Sequence, residues 1–339
     1  MDQGTMEPSV ARPVGSPISR ALEHKLNREF VAVGLLLLAF FVGSRLSTQF
    51  LDASYLLDTT SVYIETGIIA TAMTFIIISG NIDLSVASTL ALVACVTGVL
   101  HAEHGLAMGP AIICGLLLGA LLGFFNGLLI TWLRLPSLTV TLGTFALYRG
   151  LAQVLLGDHS VSNFPDWFVG IDSIHIARTL FHNPPIPAPL IIFLVLALIA
   201  GAVLHRTVLG RWTYAIGTNS TASRYSGIAV DRVTLLLFTF SGFLAGLSGL
   251  IMTSRLGIAK YDMGLGLELD AITAVVLGGT DIFGGRGTMF GTVITFFLIV
   301  VLRTGMGLHN IKPEQQMLVL GLLLIFSIVV PNLLQRNKR

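Results

Sequence analysis

Ten apolar segments, separated by short polar stretches, follow one another along this chain of 339 residues. Each segment is close in length to what an α-helix needs to cross a bilayer, about 20 residues. The pattern therefore predicts an all-α fold, a polytopic membrane helix bundle with about ten transmembrane helices. The predicted spans cover residues 30–46, 62–79, 84–100, 106–133, 138–156, 189–204, 233–254, 269–283, 288–302 and 316–330.

The composition supports a membrane protein. Hydrophobic residues make up 54% of the chain and charged residues only 11%, whereas a soluble domain carries about 25% charged residues. Mean hydropathy is +0.84. The net charge of +2 is too small to indicate nucleic acid as a partner. Cys95 and Cys114 both lie within apolar segments, so no disulfide framework is indicated.

The distribution of basic residues predicts the orientation of the chain. Ten spans place both ends on the same side, and the basic N-terminal tail 1–29 shares that side with Arg134, the polar stretch 205–232, Arg286 and the tail 334–339. The positive-inside rule then predicts cytoplasmic N- and C-termini on either side of a transmembrane domain, residues 30–333. Basic residues on the opposite side weaken this bias: Arg45, Arg178, Arg255, Lys260, Arg303 and Lys312.

Polar residues break two of the predicted spans, near 80–85 and 278–287. Non-helical backbone at membrane depth occurs only where protein or water surrounds it, and such breaks often mark a transport path. We expect Asp83 and Asp270 to accept hydrogen bonds from backbone N–H groups freed at these breaks. Arg149 is expected either to line the path or to extend toward the outer surface. The candidates for the path or its gate are Asn81, Asp83, Asn126, Arg149, Asp270, Gly278 and Gly279.

Four glycines recur at a spacing of four in the fourth span: Gly115, Gly119, Gly123 and Gly127. This spacing places them on one helical face, and small residues let two helices approach closely in lipid. The pattern predicts a helix-packing face. A gap that lines the substrate path is the alternative, with Asn126 as its polar residue.

Three segments together resemble one protein family. They are GNIDLS at 80–85, AIGTNSTASRYSGI at 215–228 and ELDAITAVVLGGTDIFGGRGTMFG at 268–291. In this order and spacing they resemble the permease subunits of bacterial ABC sugar importers of the ribose, rhamnose and autoinducer-2 type. The resemblance covers residues 59–331.

The resemblance implies a transport subunit of the inner membrane that works with other chains. These are a cytoplasmic ATP-binding subunit, a periplasmic sugar-binding protein and a second permease copy or paralogue. The sequence agrees, because it contains no G-x-x-x-x-G-K-[ST] phosphate-binding loop. No enzymatic activity, cofactor or metal is expected on this chain.

The resemblance also implies a docking segment for the ATP-binding subunit. Such permeases commonly carry an EAA-x-x-x-G pattern there, and the aligned residues of this chain lack its acidic member. We expect small residues to form a short helix that Gly227 ends in a left-handed turn. The predicted docking residues are Asn219, Thr221, Ala222, Ser223, Arg224, Tyr225 and Gly227.

Two other classes of function compete with this interpretation. An ion-coupled secondary sugar transporter would need a proton or ion relay in the membrane, for which Glu65 and Asp83 are the available carboxylates. A membrane-embedded enzyme would need convergent catalytic groups, which the sequence does not provide. The stretches LYRG at 147–150 and LLGD at 155–158 are most similar to rhamnose permeases, with the ribose and autoinducer-2 types next.

Overall fold

The structure is a computed structural model that describes residues 28–46, 48–171 and 186–336. It is built from helices, which we number in chain order. They are α1 (Arg28–Leu46), α2 (Ala53–Val62), α3 (Ile64–Ile78), α4 (Val86–Ala102), α5 (Met108–Trp132), α6 (Ser137–Leu156), α7 (Ala188–Arg206), α8 (Val208–Thr218), α9 (Ser220–Tyr225), α10 (Val230–Leu256), α11 (Leu267–Leu277), α12 (Met289–Leu308) and α13 (Pro313–Arg336). Residues 1–27 and 337–339, which make up most of the predicted tails, lie outside the described residues.

Each of the ten predicted spans overlaps a helix, but not every helix is long enough to cross a bilayer. In the described part of the chain, five helices are long and apolar enough to cross a membrane: α5, α6, α7, α10 and α12. The pair α2 and α3 adds a sixth if the two count as one span bent by 60°. The structure therefore supports a polytopic helical bundle, and it does not support ten full-length spans.

The difference arises where the backbone breaks inside an apolar stretch. Helix α11 is only 11 residues long and ends at Leu277, whereas apolarity alone extended the eighth span to residue 283. Gly279, Gly284 and Gly285 follow it with positive φ, a backbone conformation that ends a helix. Hydropathy counts side chains and does not register such a turn.

Helix α3 lies at the centre of the bundle. All fifteen of its residues are buried, and it contacts α7, α10, α11 and α12. A helix that is apolar all round belongs in such a position. It ends at Ile78, and the chain then turns through Ser79 and Gly80 (φ 80°) into the break before α4.

The most extensive helix pair joins α5 to α10. The glycine face of α5 lies against α10: a Cβ added at Gly119 would lie 2.6 Å from the carbonyl O of Gly242 and 3.1 Å from Cα of Gly246. Gly123 is closer still to Phe238 and Gly242. The two backbones therefore touch, and only glycine permits that approach.

Different chain segments meet at the two ends of the bundle. At one end, which we call the α8 end, Gly217 in α8 lies against Ile78 and Gly285. At the other, the Asp262 end, Val161 and Ala259 exchange two backbone hydrogen bonds of 3.0 and 2.7 Å. The second contact joins the segment after α6 to the segment after α10.

A Gly119→Ala substitution tests the α5 and α10 contact. We expect it to destabilise the protein by about 1–3 kcal/mol, because the added methyl group must push two backbones apart. Thermal unfolding in detergent micelles measures the effect. Gly109→Ala in the same helix is the matched control, because a Cβ there meets no atom of the described residues within 4 Å. Equal melting temperatures for the two variants would contradict the packing argument.

Candidate functional site

Two short helices, α8 and α9, form a hairpin at the α8 end. Thr207 precedes α8, and its Oγ1 accepts a hydrogen bond from the Gly210 N–H at 3.4 Å. Asn219 separates the helices, and its Oδ1 accepts a hydrogen bond from the Ala222 N–H at 2.9 Å. Side-chain oxygens at these positions satisfy N–H groups that a helix start leaves unpaired. Gly227 follows α9 with φ 85°, so the short helix and left-handed turn expected here are both present.

Helix α9 presents most of the predicted docking residues to solvent. Ser223 alone among them is buried, and it seats the helix on the bundle. Tyr225 is 89% exposed. The other exposed members are Asn219, Thr221, Ala222, Arg224 and Gly227.

Arg224 is held by its own chain. Its Nη1 and Nη2 donate to the two carboxylate oxygens of Asp231, at 2.6 and 2.7 Å. These hydrogen bonds raise the pKa of Arg224, so the pair stays ionised at physiological pH. The guanidinium therefore links α9 to the start of α10.

A polar cavity of about 560 Å³ lies beneath the hairpin. It lies where the break after α3, the end of α5, the hairpin and the start of α10 meet. Its polar and charged lining residues are Ser79, Asn81, Thr131, Arg134, Thr218, Asn219, Ser220, Arg224, Asp231 and Thr234. Phe283 also lines it and is 80% exposed.

Three backbone segments meet beside this cavity, and we call their contact the glycine junction: Ile78–Gly80, Gly217 and Gly284–Gly285. The Gly285 N–H donates to the Ile78 carbonyl at 2.8 Å. A Cβ at Gly217 would lie 2.5 Å from the Gly285 N, and one at Gly284 would lie 2.8 Å from the Gly80 Cα. The junction thus joins the exposed hairpin to the end of the central helix and to the loop after α11.

Asp83 lies in a buried hydrogen-bond network that holds the first break. Its Oδ1 accepts from the Ser85 N–H at 3.0 Å and from the Ser85 hydroxyl at 2.6 Å, and its Oδ2 accepts from the Ser241 hydroxyl at 2.8 Å. Asn126 donates to Ser85 Oγ at 2.8 Å, and the Tyr148 hydroxyl donates to Asn126 Oδ1 at 3.1 Å. Asp83 therefore accepts a freed backbone N–H, as expected, and both Asp83 and Asn126 are sealed from solvent.

Asp270 behaves differently from the expectation. Its carboxylate accepts a hydrogen bond from Arg303 Nη2 at 2.6 Å rather than from a backbone N–H, and Arg303 also lies over the Tyr63 ring at 5.2 Å. The capping hypothesis is therefore wrong for Asp270. An arginine on the neighbouring helix α12 satisfies the carboxylate instead.

A second buried ion pair joins Glu65 in α3 to Arg255 in α10, with 3.1 Å between Oε1 and Nη2. The two side chains are 2% and 11% exposed. Arg255 and Arg303 are two of the basic residues that ran against the positive-inside pattern. Each is neutralised by a carboxylate within the bundle, so neither contributes a free charge to the Asp262 end.

Arg149 is anchored to the loop after α10. Its Nη1 donates to the carbonyl oxygens of Tyr261 and Met263, the latter at 2.8 Å, and its guanidinium lies 5.9 Å from the Phe145 ring centre. It is half-buried. The side chain therefore turns into the protein rather than outward.

Gly278 lies at the end of α11 against the start of α12. A Cβ there would lie 2.6 Å from the Gly291 carbonyl O, and Gly279 has φ 93°. Asn81 lines the polar cavity, and its Nδ2 donates to Ser79 Oγ at 3.0 Å. The seven path or gate candidates thus fall into separate groups at both ends and in the core.

Sequence reasoning missed several residues that the structure brings to these sites. Tyr148 in α6 and Ser241 in α10 join the Asp83 network, and no spacing in the sequence links them to Asp83. Ser85, two residues after Asp83 in the segment 80–85, completes it just before α4. Glu268, within the motif at 268–291, was not singled out. In residues 28–46, 48–171 and 186–336 no cluster of three or more His, Cys, Asp or Glu side chains could hold a metal ion.

A polytopic helix bundle with broken, polar spans and an exposed helical hairpin at one end has the features of a membrane transport subunit. Comparison with known proteins gives the family. Residues 55–328 match the family described as the branched-chain amino acid transport system / permease component. The chain belongs to this family, and it is a permease subunit of the ABC sugar importer class rather than an enzyme.

Relatives with curated names agree. The chain is 35% identical to the autoinducer 2 import system permease protein LsrD of Photorhabdus luminescens over 304 residues, 89% of this chain and 90% of that protein. It is 36% identical to the protein of the same name from Escherichia coli K12 over 304 residues, 89% of this chain and 91% of that one. No solved structure matches the chain. The family and the apolar helices make it a multi-pass inner-membrane protein.

A Glu65→Gln substitution tests the buried ion pair. We expect a loss of about 3–5 kcal/mol, because Arg255 would keep its charge in the interior without a carboxylate. Thermal unfolding in micelles measures it. Asp262→Asn is the control, since Asp262 and Lys260 form a pair in which each side chain is 38% exposed, and the melting temperature should not change. A Glu65→Gln protein as stable as this control would refute the role given to the pair.

Proposed function

We propose that this chain forms the translocation path of an ATP-binding-cassette importer for a monosaccharide-sized substrate that a periplasmic binding protein delivers. The match to LsrD proteins over 89% of the chain carries the proposal. It favours autoinducer 2 or a similar compound, with rhamnose and ribose as the next candidates.

The ion-coupled sugar transporter is less well supported. Such a transporter needs titratable groups that can gain and release an ion during the cycle. Asp270 is bound to Arg303 and Glu65 to Arg255, while Asp83 accepts three hydrogen bonds. Carboxylates committed to structural partners are poor carriers.

We propose that the chain crosses the membrane ten times, with α1, α4, α11 and α13 as short crossings and α2 with α3 as one bent crossing. Two ion pairs at the Asp262 end support antiparallel packing of neighbouring helices. The pair of Glu65 and Arg255 places the start of α3 beside the end of α10. The pair of Asp270 and Arg303 places the start of α11 beside the end of α12. Short crossings are tolerated where neighbouring helices bury them.

The α8 end is assigned to the cytoplasm, together with the tails 1–29 and 334–339. Basic residues gather there, on the hairpin and the adjacent loops, as the positive-inside rule requires: Arg134, Arg206, Arg211, Arg224, Arg232 and Arg286. The transmembrane domain is then residues 30–333, and the hairpin lies within the cytoplasmic stretch 205–232.

Helix α9 is the proposed docking element for the ATP-binding subunit. Its exposed face combines small residues, which let a cleft close around it, with the aromatic side chain of Tyr225. Aromatic residues dominate the energy of protein interfaces when they are buried by a partner. Asn219, Thr221, Ala222, Ser223 and Gly227 shape and seat the helix, and Arg224 braces it through Asp231.

The glycine junction is proposed to transmit movement of the hairpin to the path. Closure of the ATP-binding subunits would displace α8, and backbone contact at Gly217 would carry that displacement to the end of α3 and the loop after α11. Asn81, at the junction side of the first break, and Gly278 and Gly279, after α11, lie on the segments that would move. Asp83 and Asn126 hold the other side of that break, at the start of α4. The result is alternating access at the centre of a two-fold or pseudo-two-fold pair.

A second permease copy or paralogue is part of this proposal. Helix α5 carries exposed apolar side chains on the face opposite its glycines, among them Ile113, Leu117 and Leu121. In a bilayer such a face contacts lipid or another permease subunit.

A Tyr225→Ala substitution tests the docking element. Association with the ATP-binding subunit should weaken about tenfold or more, as for a central aromatic of an interface. Copurification and a binding titration with the co-expressed subunit measure it. Trp167→Ala is the control: Trp167 is 63% exposed but lies at the Asp262 end, so binding should be unchanged. Full binding by Tyr225→Ala would place the dock elsewhere.

A Gly217→Ala substitution tests transmission. The ATP-binding subunit should still bind, because Gly217 precedes the exposed helix. Uptake into proteoliposomes should fall roughly two- to thirtyfold, which corresponds to a coupling loss of about 0.5–2 kcal/mol. Gly143→Ala in α6 is the control, since a Cβ there meets no described atom within 4 Å. Native uptake by Gly217→Ala would rule out the junction as the link.

A further inference from the structure

An apolar groove of about 660 Å³ lies between α5, α7 and α10. We propose that it holds an acyl chain of an anionic phospholipid whose phosphate lies against Arg232. The inference goes beyond the proposed function and does not depend on it, because it requires a membrane protein but not an importer.

The walls of the groove are apolar. Apart from Arg232 and Thr239, every lining residue has an apolar side chain, and the Thr239 hydroxyl donates to the Leu235 carbonyl at 2.8 Å. The walls therefore offer a sugar or water no free side-chain donor apart from Arg232. An acyl chain needs no hydrogen-bonding partner and gains dispersion contacts against such walls.

The groove opens on the outer surface of the bundle. Ile199 in α7 and Leu236 in α10 line it and are 56% and 51% exposed. Phe124 in α5 and Phe243 in α10 also line it and are exposed as well. A lipid can therefore enter the groove sideways from the bilayer without crossing the protein.

Arg232 supplies a positive charge at the α8 end of the groove. It is the third residue of α10, and Leu209 in α8 lines the same end. The Arg232 side chain is exposed and forms no hydrogen bond or ion pair with any described residue. Its neighbour Asp231 is already bound to Arg224. The guanidinium is therefore available to an anion from outside the chain, and its planar shape suits the oxygens of a phosphate.

The groove is about as long as one leaflet of a bilayer is thick. Arg232 and Phe243 lie eleven positions apart in α10, which is about 16 Å along a helix axis. Half of a hydrocarbon core of about 30 Å is about 15 Å. Trp212 follows Leu209 in α8 by about one turn and is 40% exposed, and tryptophan is enriched where a bilayer meets water. The charge thus lies at headgroup level and the apolar walls at acyl-chain level.

A phospholipid fits this groove better than a second copy of the chain does. Helix contacts in lipid favour small residues, whereas Ala120 and Ala200 are the only small ones among the described residues that line the groove. A protein neighbour would also bury the charge of Arg232 unless it brought a carboxylate, and an unpaired buried charge is costly. Basic pockets between membrane helices on the cytoplasmic side are typical sites for anionic headgroups. In the proposed orientation, the lipid belongs to the cytoplasmic leaflet.

Native mass spectrometry of the full-length chain in detergent micelles tests the proposal. The probe is palmitoyl-oleoyl phosphatidylglycerol, and phosphatidylcholine with the same acyl chains is the zwitterionic match. We expect the chain to retain one phosphatidylglycerol, with an affinity roughly fivefold higher than that for phosphatidylcholine, the scale for one arginine near an anionic surface. Arg232→Gln should remove this preference. Arg211→Gln is the control and should keep it, since Arg211 is exposed on α8 but does not line the groove.

A groove-filling substitution tests the binding of the acyl chain separately. Ala120 lines the groove and is half-buried, so the phenyl ring of Ala120→Phe would occupy the space of the chain and should abolish retention of both lipids. Ala146→Phe, at an exposed position of α6 outside the groove, should retain phosphatidylglycerol as the native chain does. Retention by a folded Ala120→Phe protein would show that a phosphate binds without the groove, which contradicts the proposal.

Equal affinity of the native chain for the two lipids would overturn the proposal, as would a preference for phosphatidylglycerol that survives in Arg232→Gln. A dimer that Ala120→Phe disrupts, with no lipid retained, would assign the groove to a second copy instead. The comparison of the two lipids on the native chain stands even if a variant fails to fold. Because no ATP-binding subunit or uptake is involved, failure here is distinct from failure of the proposed importer, which the Tyr225→Ala and Gly217→Ala experiments address.

Discussion

The constraint on which this structure depends is that polar groups inside a bilayer must find partners within the protein. Within a helix the backbone N–H and C=O groups bond to one another. In the non-helical stretches 79–85 and 278–287 they need partners from elsewhere. At the first break, Asp83 accepts the Ser85 N–H and two hydroxyl groups. At the second, the Gly285 N–H reaches across to the carbonyl of Ile78. Each break is thus stabilised by a different part of the chain.

The same constraint governs charge. Glu65 with Arg255 and Asp270 with Arg303 pair helices that meet at the Asp262 end. Buried ion pairs contribute little net stability, because desolvation offsets attraction, but removing one partner is costly. They therefore fix how α3, α10, α11 and α12 meet. Arg149 has no such carboxylate, and its Nε and Nη2 have no hydrogen-bond partner among the described residues.

Close backbone contact provides the remaining cohesion, since lipid gives apolar helices little reason to associate. The α5 and α10 glycines form a static interface between two long helices. The glycine junction is different, because it joins one exposed hairpin to two chain breaks. A contact between backbones transmits displacement without relying on side-chain rotamers, which suits a coupling element.

Much of this protein could be read from its sequence, because hydropathy and glycine spacing are local properties. All ten apolar segments overlap helices, and the short helix and Gly227 turn of the hairpin were expected from small residues. The α5 glycines were recognised as one face of a helix. Even the break at 80–85 was evident, because Gly80, Asn81 and Asp83 interrupt an apolar run.

Only the tertiary structure decided which side chains pair with one another and how long some helices are. Nothing local indicates that Asp270 meets Arg303, that Arg224 is held by Asp231, or that Tyr148 and Ser241 join one network with Asp83. The end of α11 at Leu277 was also missed, since the residues beyond it include apolar ones. Sequence records which groups need a partner, whereas the fold brings together residues far apart in the chain and so decides which partner each receives.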